Sequence, residues 1–159
     1  MPFTLPLGSK APPFQLLAAD LQYYSLDDFT DAKGYITFFT CNHCPYVIGS
    51  NKDTKRLAQT YQDQGIVFIA INSNSPNTYP EDSFEHMVKI AQEERLPWPY
   101  LHDIDQDVAE AYGALKTPHF FFFDSDKNLI YTGRAIDNPR DYTKAKVHDL
   151  EKAIKHHRL

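Results

Sequence analysis

Cysteine is almost absent from this chain: two residues in 159, Cys41 and Cys44. That scarcity excludes a small fold stapled by several disulfides, and 159 residues are enough to bury a core without staples. Positive charge is also in deficit, with 16 Lys and Arg against 21 Asp and Glu, a net charge of −5 and a pI near 5.7. No electrostatic footprint for nucleic acid follows from that balance. Lys52, Lys55 and Arg56 read as the solvated side of a helix. No run of about eighteen apolar residues is present to span a bilayer. Met1 to Phe14 lacks the basic start and apolar stretch of a secretory signal. Repeats, low-complexity tracts and internal linkers are missing as well. The expectation is one cytoplasmic domain over residues 1–159, with no nucleic-acid and no membrane partner.

What is present is an aromatic-rich globular composition: 42% hydrophobic, 23% charged, with 11 Phe and 10 Tyr, which points to a sheet-rich core. After a proline-marked lead-in to Pro13, residues 14–17 and 22–26 read as a hairpin around 18–21. Tyr35 to Thr40 is a continuous apolar, β-branched and aromatic run, the pattern of a strand buried on both faces. A helix is predicted from about Cys44 to Asp63, with Val47, Ile48, Ala58 and Tyr61 inward and a kink near Gly49 to Asn51. Gln64-Gly65 ends it, and Ile66 to Ile71 forms a second buried strand, completing a right-handed βαβ unit.

A polar loop, Asn72 to Asn77, leaves that strand. Glu81 to Arg95 is expected as a helix with Phe84, Met87, Val88 and Ala91 on one face. Pro97-Trp98-Pro99 stops it, and Trp98 reads as core. Tyr100 to His102 is a short strand, and Asp105 to Tyr112 a short helix closed by Gly113. His119 to Asp124 is a central strand, paired antiparallel with Leu129 to Gly133 across the turn at 125–128. A last helix is expected with Asp141 as its cap and Val147, Leu150 and Ile154 inward. These elements make one α/β layer structure.

The chemistry centres on Cys41-Asn42-His43-Cys44-Pro45 at the strand-to-helix junction. A closely spaced pair in a reducing compartment is catalytic or metal-binding rather than structural. The thiolate is the attacking species, and a free cysteine, with a pKa near 8.5, supplies little of it at neutral pH. At a helix start, unpaired N–H groups and the dipole favour negative charge on Cys41, and a protonated His43 adds to that. Cys41 is therefore expected to attack, and Cys44, one turn in and less exposed, to resolve the mixed disulfide. Two blander readings stand beside this one. A zinc site needs four closed ligands; there is no second CxxC, and the seven histidines show no ligand spacing. Alternatively the two cysteines are inert core residues.

Thr117-Pro118 is the second feature. A proline opening a central strand suits a site that needs an open backbone edge. General X–Pro statistics favour a trans bond there.

Together, Cys41-Asn42-His43-Cys44 after a strand and Thr117-Pro118 before a later one resemble the thioredoxin superfamily. Longer segments carry the likeness further: Phe39 to Tyr46, Ala70 to Asn74, Tyr79 to Ser83, Ala111 to Gly113 and Thr117-Pro118. They are similar to the peroxiredoxin-like proteins grouped with the alkyl hydroperoxide reductase and thiol-specific antioxidant family. The similarity runs from about Pro13 to Asn138. It implies a thioredoxin-like fold: a central mixed sheet flanked by helices, with an N-terminal hairpin and an insertion after the second core strand. By the same resemblance Cys41 matches the nucleophile, Cys44 the resolving cysteine and Pro118 a cis-proline facing them, with Asn42, His43 and Thr117 tuning the site. Two positions depart from the pattern. Phe38 stands where peroxiredoxins carry a threonine three residues before the peroxidatic cysteine. Tyr35 stands where thioredoxin carries a buried acid, leaving His43 or a water to move protons. Arg134 is a candidate for the peroxiredoxin arginine, or simply a surface residue.

The function expected is thiol-disulfide oxidoreduction through the Cys41/Cys44 couple, without metal or cofactor. The partners would be a disulfide-containing protein or small thiol, and an external thiol reductant. The alternatives are a thiol-dependent peroxidase, a non-catalytic redox-sensing binding module and a zinc-binding module.

Overall fold

The computed structural model describes residues 4–74, 79–114 and 117–157. Five strands form the central sheet: β3 (Gly34–Thr40), β4 (Ile66–Asn72), β5 (Tyr100–His102), β6 (His119–Asp124) and β7 (Leu129–Gly133). Their order is β5-β4-β3-β6-β7, with β3, β4 and β5 parallel, β6 antiparallel to β3, and β7 antiparallel to β6. A separate two-stranded hairpin, β1 (Leu16–Leu17) and β2 (Tyr23–Tyr24), pairs Leu16 with Tyr24. Four helices complete the fold: α1 (Pro45–Tyr61), α2 (Phe84–Glu94), α3 (Asp107–Tyr112) and α4 (Asp149–His157).

The apolar runs become strands because both faces of this sheet are covered. Side chains alternate along a strand, so adjacent phenylalanines face opposite cores. Phe38, Phe120 and Phe122 join Leu57 and Ala58 of α1, Met87 of α2, and Leu150 and Ile154 of α4 in one cluster. Phe39, Phe121 and Phe123 join Phe14, Leu26, Val108 and Tyr112 in the other. Trp98 is buried, as expected, with its ring edge-on to Phe38 at 5.0 Å.

Three local expectations are corrected. Ile48 is 66% exposed rather than inward, because α1 turns Val47, Ser50, Thr54, Leu57, Ala58 and Tyr61 toward the body instead. The helix runs on through Gly49 to Tyr61. That glycine is required by packing, since a Cβ there would overlap the backbone carbonyl of Arg140. Asp141 caps only a single 3-10 turn, Tyr142–Lys144, accepting from the Thr143 N–H at 3.0 Å. The last helix begins eight residues later, at Asp149, so Val147 lies outside it.

In the insertion between β4 and β5, Pro80–Asp82 forms a 3-10 turn and Ser83 caps α2, accepting from the His86 N–H at 3.3 Å. Of the expected polar loop, Ser75, Pro76 and Asn77 lie outside the described residues. Buried Asp103 accepts from the N–H groups of Val108 and Ala109 at 3.2 and 2.9 Å, anchoring the start of α3. Among the described residues no helix is long and apolar enough to cross a membrane.

Candidate active site at the Cys41–Cys44 pair

Strand β3 ends at Thr40, and the chain turns through Cys41 to His43 before Cys44 takes the N-cap position of α1. Pro45 follows at the first helical position, where its missing N–H costs no intrahelical bond. The two cysteines are joined as a disulfide, with Cα atoms 5.8 Å apart. The Cys44 N–H donates to Cys41 Sγ at 3.0 Å, so the free backbone donor at the helix start is aimed at the first sulfur.

The exposures are opposite to expectation. Cys41 is 4% exposed, whereas Cys44 is only partly buried. The cause is local: Cys41 directly follows a strand buried on both faces, while Cys44 opens a helix whose next two residues, Pro45 and Tyr46, are exposed. Charge stabilisation thus favours Cys41 as the thiolate, and access favours Cys44.

The Thr117–Pro118 bond is cis, as the resemblance implied and general X–Pro statistics did not. The bond sits at the entrance to β6, next to β3 in the sheet, and carries the Thr117 hydroxyl onto the pair. That hydroxyl donates to Cys44 Sγ at 3.2 Å and lies 3.9 Å from Cys41 Sγ. A groove of about 270 Å³ begins at Thr117 and Pro118 and runs between Tyr46 and Ser50 of α1 and the 134–139 segment. Arg134 borders it, with its Nε 2.6 Å from Asp149 Oδ2 of α4.

His43 stacks on Tyr79 with ring centroids 5.0 Å apart. Its Nδ1 lies 2.6 Å from Oδ2 of Asp82, off the line of a ring N–H hydrogen bond. Asp82 is fully buried. Its Oδ1 accepts from the Asn42 backbone N–H at 2.6 Å and from Asn72 Nδ2 at 2.9 Å, and its Oδ2 accepts from Asn74 Nδ2 at 3.0 Å. The Asn42 side chain is held in turn, donating to the Glu81 carbonyl at 2.8 Å and accepting from the Tyr100 hydroxyl at 2.7 Å. Burial pushes the Tyr100 phenol up, and the charge of Asp82 adds to this while the Asn72 amide opposes it.

Among the described residues, one group of three side chains could hold a metal ion: Cys41, His43 and Cys44, with ligand atoms within 4.8 Å of one another. That is one ligand short of a closed structural zinc site. Two of the three are also covalently joined.

A family model described as Redoxin matches residues 6–154. The chain belongs to the Redoxin family. Two similar structures carry no functional description. An uncharacterized conserved protein from Geobacillus kaustophilus is 44% identical over 83% of this chain and 70% of its own, with a TM-score of 0.80. A hypothetical protein from Sinorhizobium meliloti is 33% identical over 96% and 84%, with a TM-score of 0.89. The thioredoxin domain of a thiol-disulfide oxidoreductase from Bacteroides vulgatus is 18% identical over 86% and 94%, with a TM-score of 0.71. That likeness shows the fold, which is thioredoxin-like as expected. No curated protein is significantly similar to the chain.

In this Redoxin-family protein the structure brings together every residue singled out from sequence: Cys41, Asn42, His43, Cys44, Thr117 and Pro118. Asp82, Asn72, Asn74, Tyr79 and Tyr100 were missed as parts of the site. No local signal marked Asp82, since an aspartate preceding a Ser-capped helix reads as an ordinary solvated residue until another element covers it. Tyr35, at the position of thioredoxin's buried acid, donates its hydroxyl to the Phe29 carbonyl at 2.8 Å and serves packing. Phe38 sits in the core against Phe120 and Trp98, so no hydroxyl occupies the peroxiredoxin threonine position.

Proposed function

We propose that this protein is a thiol-disulfide oxidoreductase whose working couple is Cys41/Cys44. One observation carries the reading: the chain's only two cysteines are disulfide-bonded at the head of α1, with a backbone N–H on one sulfur and a hydroxyl on the other. In the reducing direction, the Cys41 thiolate attacks one sulfur of a substrate disulfide and expels the other as a thiol. Cys44 then attacks Cys41 of the mixed disulfide and releases the second substrate thiol. Two electrons pass from the cysteine pair to the substrate, and a separate thiol reductant restores the dithiol. Cys41 keeps the nucleophile's role because the thiolate, not the more accessible sulfur, is the reactive species.

The groove beside Pro118 is where the substrate backbone would lie, against the open edge of Thr117. Partly apolar walls suit a disulfide-bearing polypeptide better than a small charged thiol. Cytoplasmic residence belongs to the same proposal, resting on the chain's restriction to a single cysteine pair. Equilibration in glutathione buffers, followed by alkylation and mass measurement, tests the function. A reversible two-electron transition of both cysteines is expected, and finding none would reject the reading.

A peroxidase reading has one observation in its favour: the Thr117 hydroxyl supplies at the sulfurs the group that Phe38 cannot. It requires peroxide consumption with a thiol reductant and a sulfenic acid trapped on one cysteine.

A further inference from the structure

Asp82 is a carboxylate with no access to solvent, and burying a charge without compensation is costly. Three neutral N–H donors, from Asn42, Asn72 and Asn74, satisfy part of it. Among the described residues its one cationic partner within ion-pair distance is His43, at 2.6 Å, and no Lys or Arg reaches it. His43 in turn has a ring nitrogen within 4.8 Å of both cysteine sulfurs, close enough for transfer through one water. Among the described residues, the other titratable groups touching the two or their hydrogen-bond partners are the Tyr79 ring stacked on His43 and the Tyr100 phenol, which donates to the Asn42 side chain and accepts from Asn72. A buried carboxylate behind an imidazole fixes the ring's orientation.

We infer that Asp82 is the positioning residue of the redox site, holding His43 so that it relays protons for the cysteine pair. The inference rests on the oxidoreductase reading. In the resolving step the Cys44 thiol gives its proton, through one water, to a ring nitrogen of His43. The Cys44 sulfur attacks the Cys41 sulfur of the mixed disulfide, the bond from Cys41 to the substrate sulfur breaks, and the departing thiolate takes the proton back from His43. The imidazole ends as it began, the two cysteines are oxidised, and the substrate sulfur leaves as a thiol. The relay fills the place left by Tyr35, and it comes from the insertion rather than from the sheet.

The test is the pH profile of the rate at which reduced protein reduces a model aromatic disulfide. It compares wild type, D82N, H43Q and the D82N/H43Q double variant, with thermal unfolding of each. Either single change is expected to slow the reaction at least tenfold at neutral pH and to flatten the profile between about pH 5 and 8. The double variant should be no slower than the slower single, because one relay is lost either way. A D82N protein that unfolds earlier but keeps the wild-type profile would overturn the inference, as would single effects that multiply in the double. If D82N does not fold, the H43Q profile and the ring ¹⁵N shifts of His43 in wild type decide. Unchanged shifts between oxidised and reduced protein count against the relay. The wild-type arm separates the two readings: no disulfide reduction there rejects the function itself, whereas normal wild-type turnover with unaffected variants rejects only the role of Asp82.

Discussion

Thr117 reaches both sulfurs from the far side of the junction, and its hydroxyl has one proton to give. It donates to Cys44 Sγ at 3.2 Å in the disulfide, where the acceptor is weak. Once the pair is reduced the same donor meets the Cys44 thiol, and an ordinary intramolecular hydrogen bond contributes about 0.5–1.5 kcal/mol. Thr117→Val should therefore destabilise the reduced form and lower the reduction potential by roughly 10–30 mV, since 30 mV is about 1.4 kcal/mol for a two-electron couple. A glutathione titration reads this directly, and a rise in potential would contradict it. The competition between the two sulfurs is settled at the same scale. Brief iodoacetamide labelling of reduced protein should modify Cys41 first, despite its 4% exposure, because the Cys44 N–H is aimed at its sulfur.

Helix α1 joins the redox site to the rest of the molecule, and two of its positions show how. At Gly49 the 139–140 backbone approaches so closely that a methyl group has no room. Gly49→Ala, a change that normally favours a helix, should instead cost about 1–3 kcal/mol through overpacking and displace the groove wall at Pro139. Urea denaturation gives the sign. Farther along, Arg56 and Tyr61 of α1 donate to Glu151 of α4 at 3.0 and 2.9 Å. Burial pushes the Glu151 carboxyl up, but those two hydrogen bonds outweigh it and hold the group below the ordinary carboxylate range. Its contribution is therefore complete above the unfolded value and fades as pH falls through the lower folded one. Glu151→Gln should cost about 1 kcal/mol at pH 7, and the difference from wild type should shrink near pH 3.

Across the whole molecule, one sheet separates two cores that share every strand. Phe38 and Phe39 are neighbours in sequence yet face opposite clusters, 2% and 1% exposed. Phe38→Ala and Phe39→Ala should each cost about 3–5 kcal/mol. Both variants should unfold in a single transition, lowered by roughly 6–20 °C, because the two clusters are halves of one cooperative unit. Calorimetry showing two separate transitions in either variant would disprove that coupling.

Much of this architecture was legible in the chain. The runs at 35–40, 66–71 and 119–124, the CxxC between the first strand and its helix, and Gly113 closing α3 are local patterns. Each reports burial on one face or both, or a backbone conformation such as the φ of 64° at Gly113, without naming the neighbour. The chain alone therefore determined the α/β layering and the place of the reactive pair. Only the tertiary structure decided that Cys41 is the more buried sulfur, that Ile48 faces outward, and that the final helix starts at Asp149. It also decided that Asp82 and Thr117 converge on the pair from 40 and 76 residues away, as the Asn42–Asp82 and Cys41–Thr117 contacts show. The physical reason is that hydrophobic burial repeats with the period of the element and leaves a trace in sequence. A polar contact between distant segments depends on where the chain returns, and no local period records that.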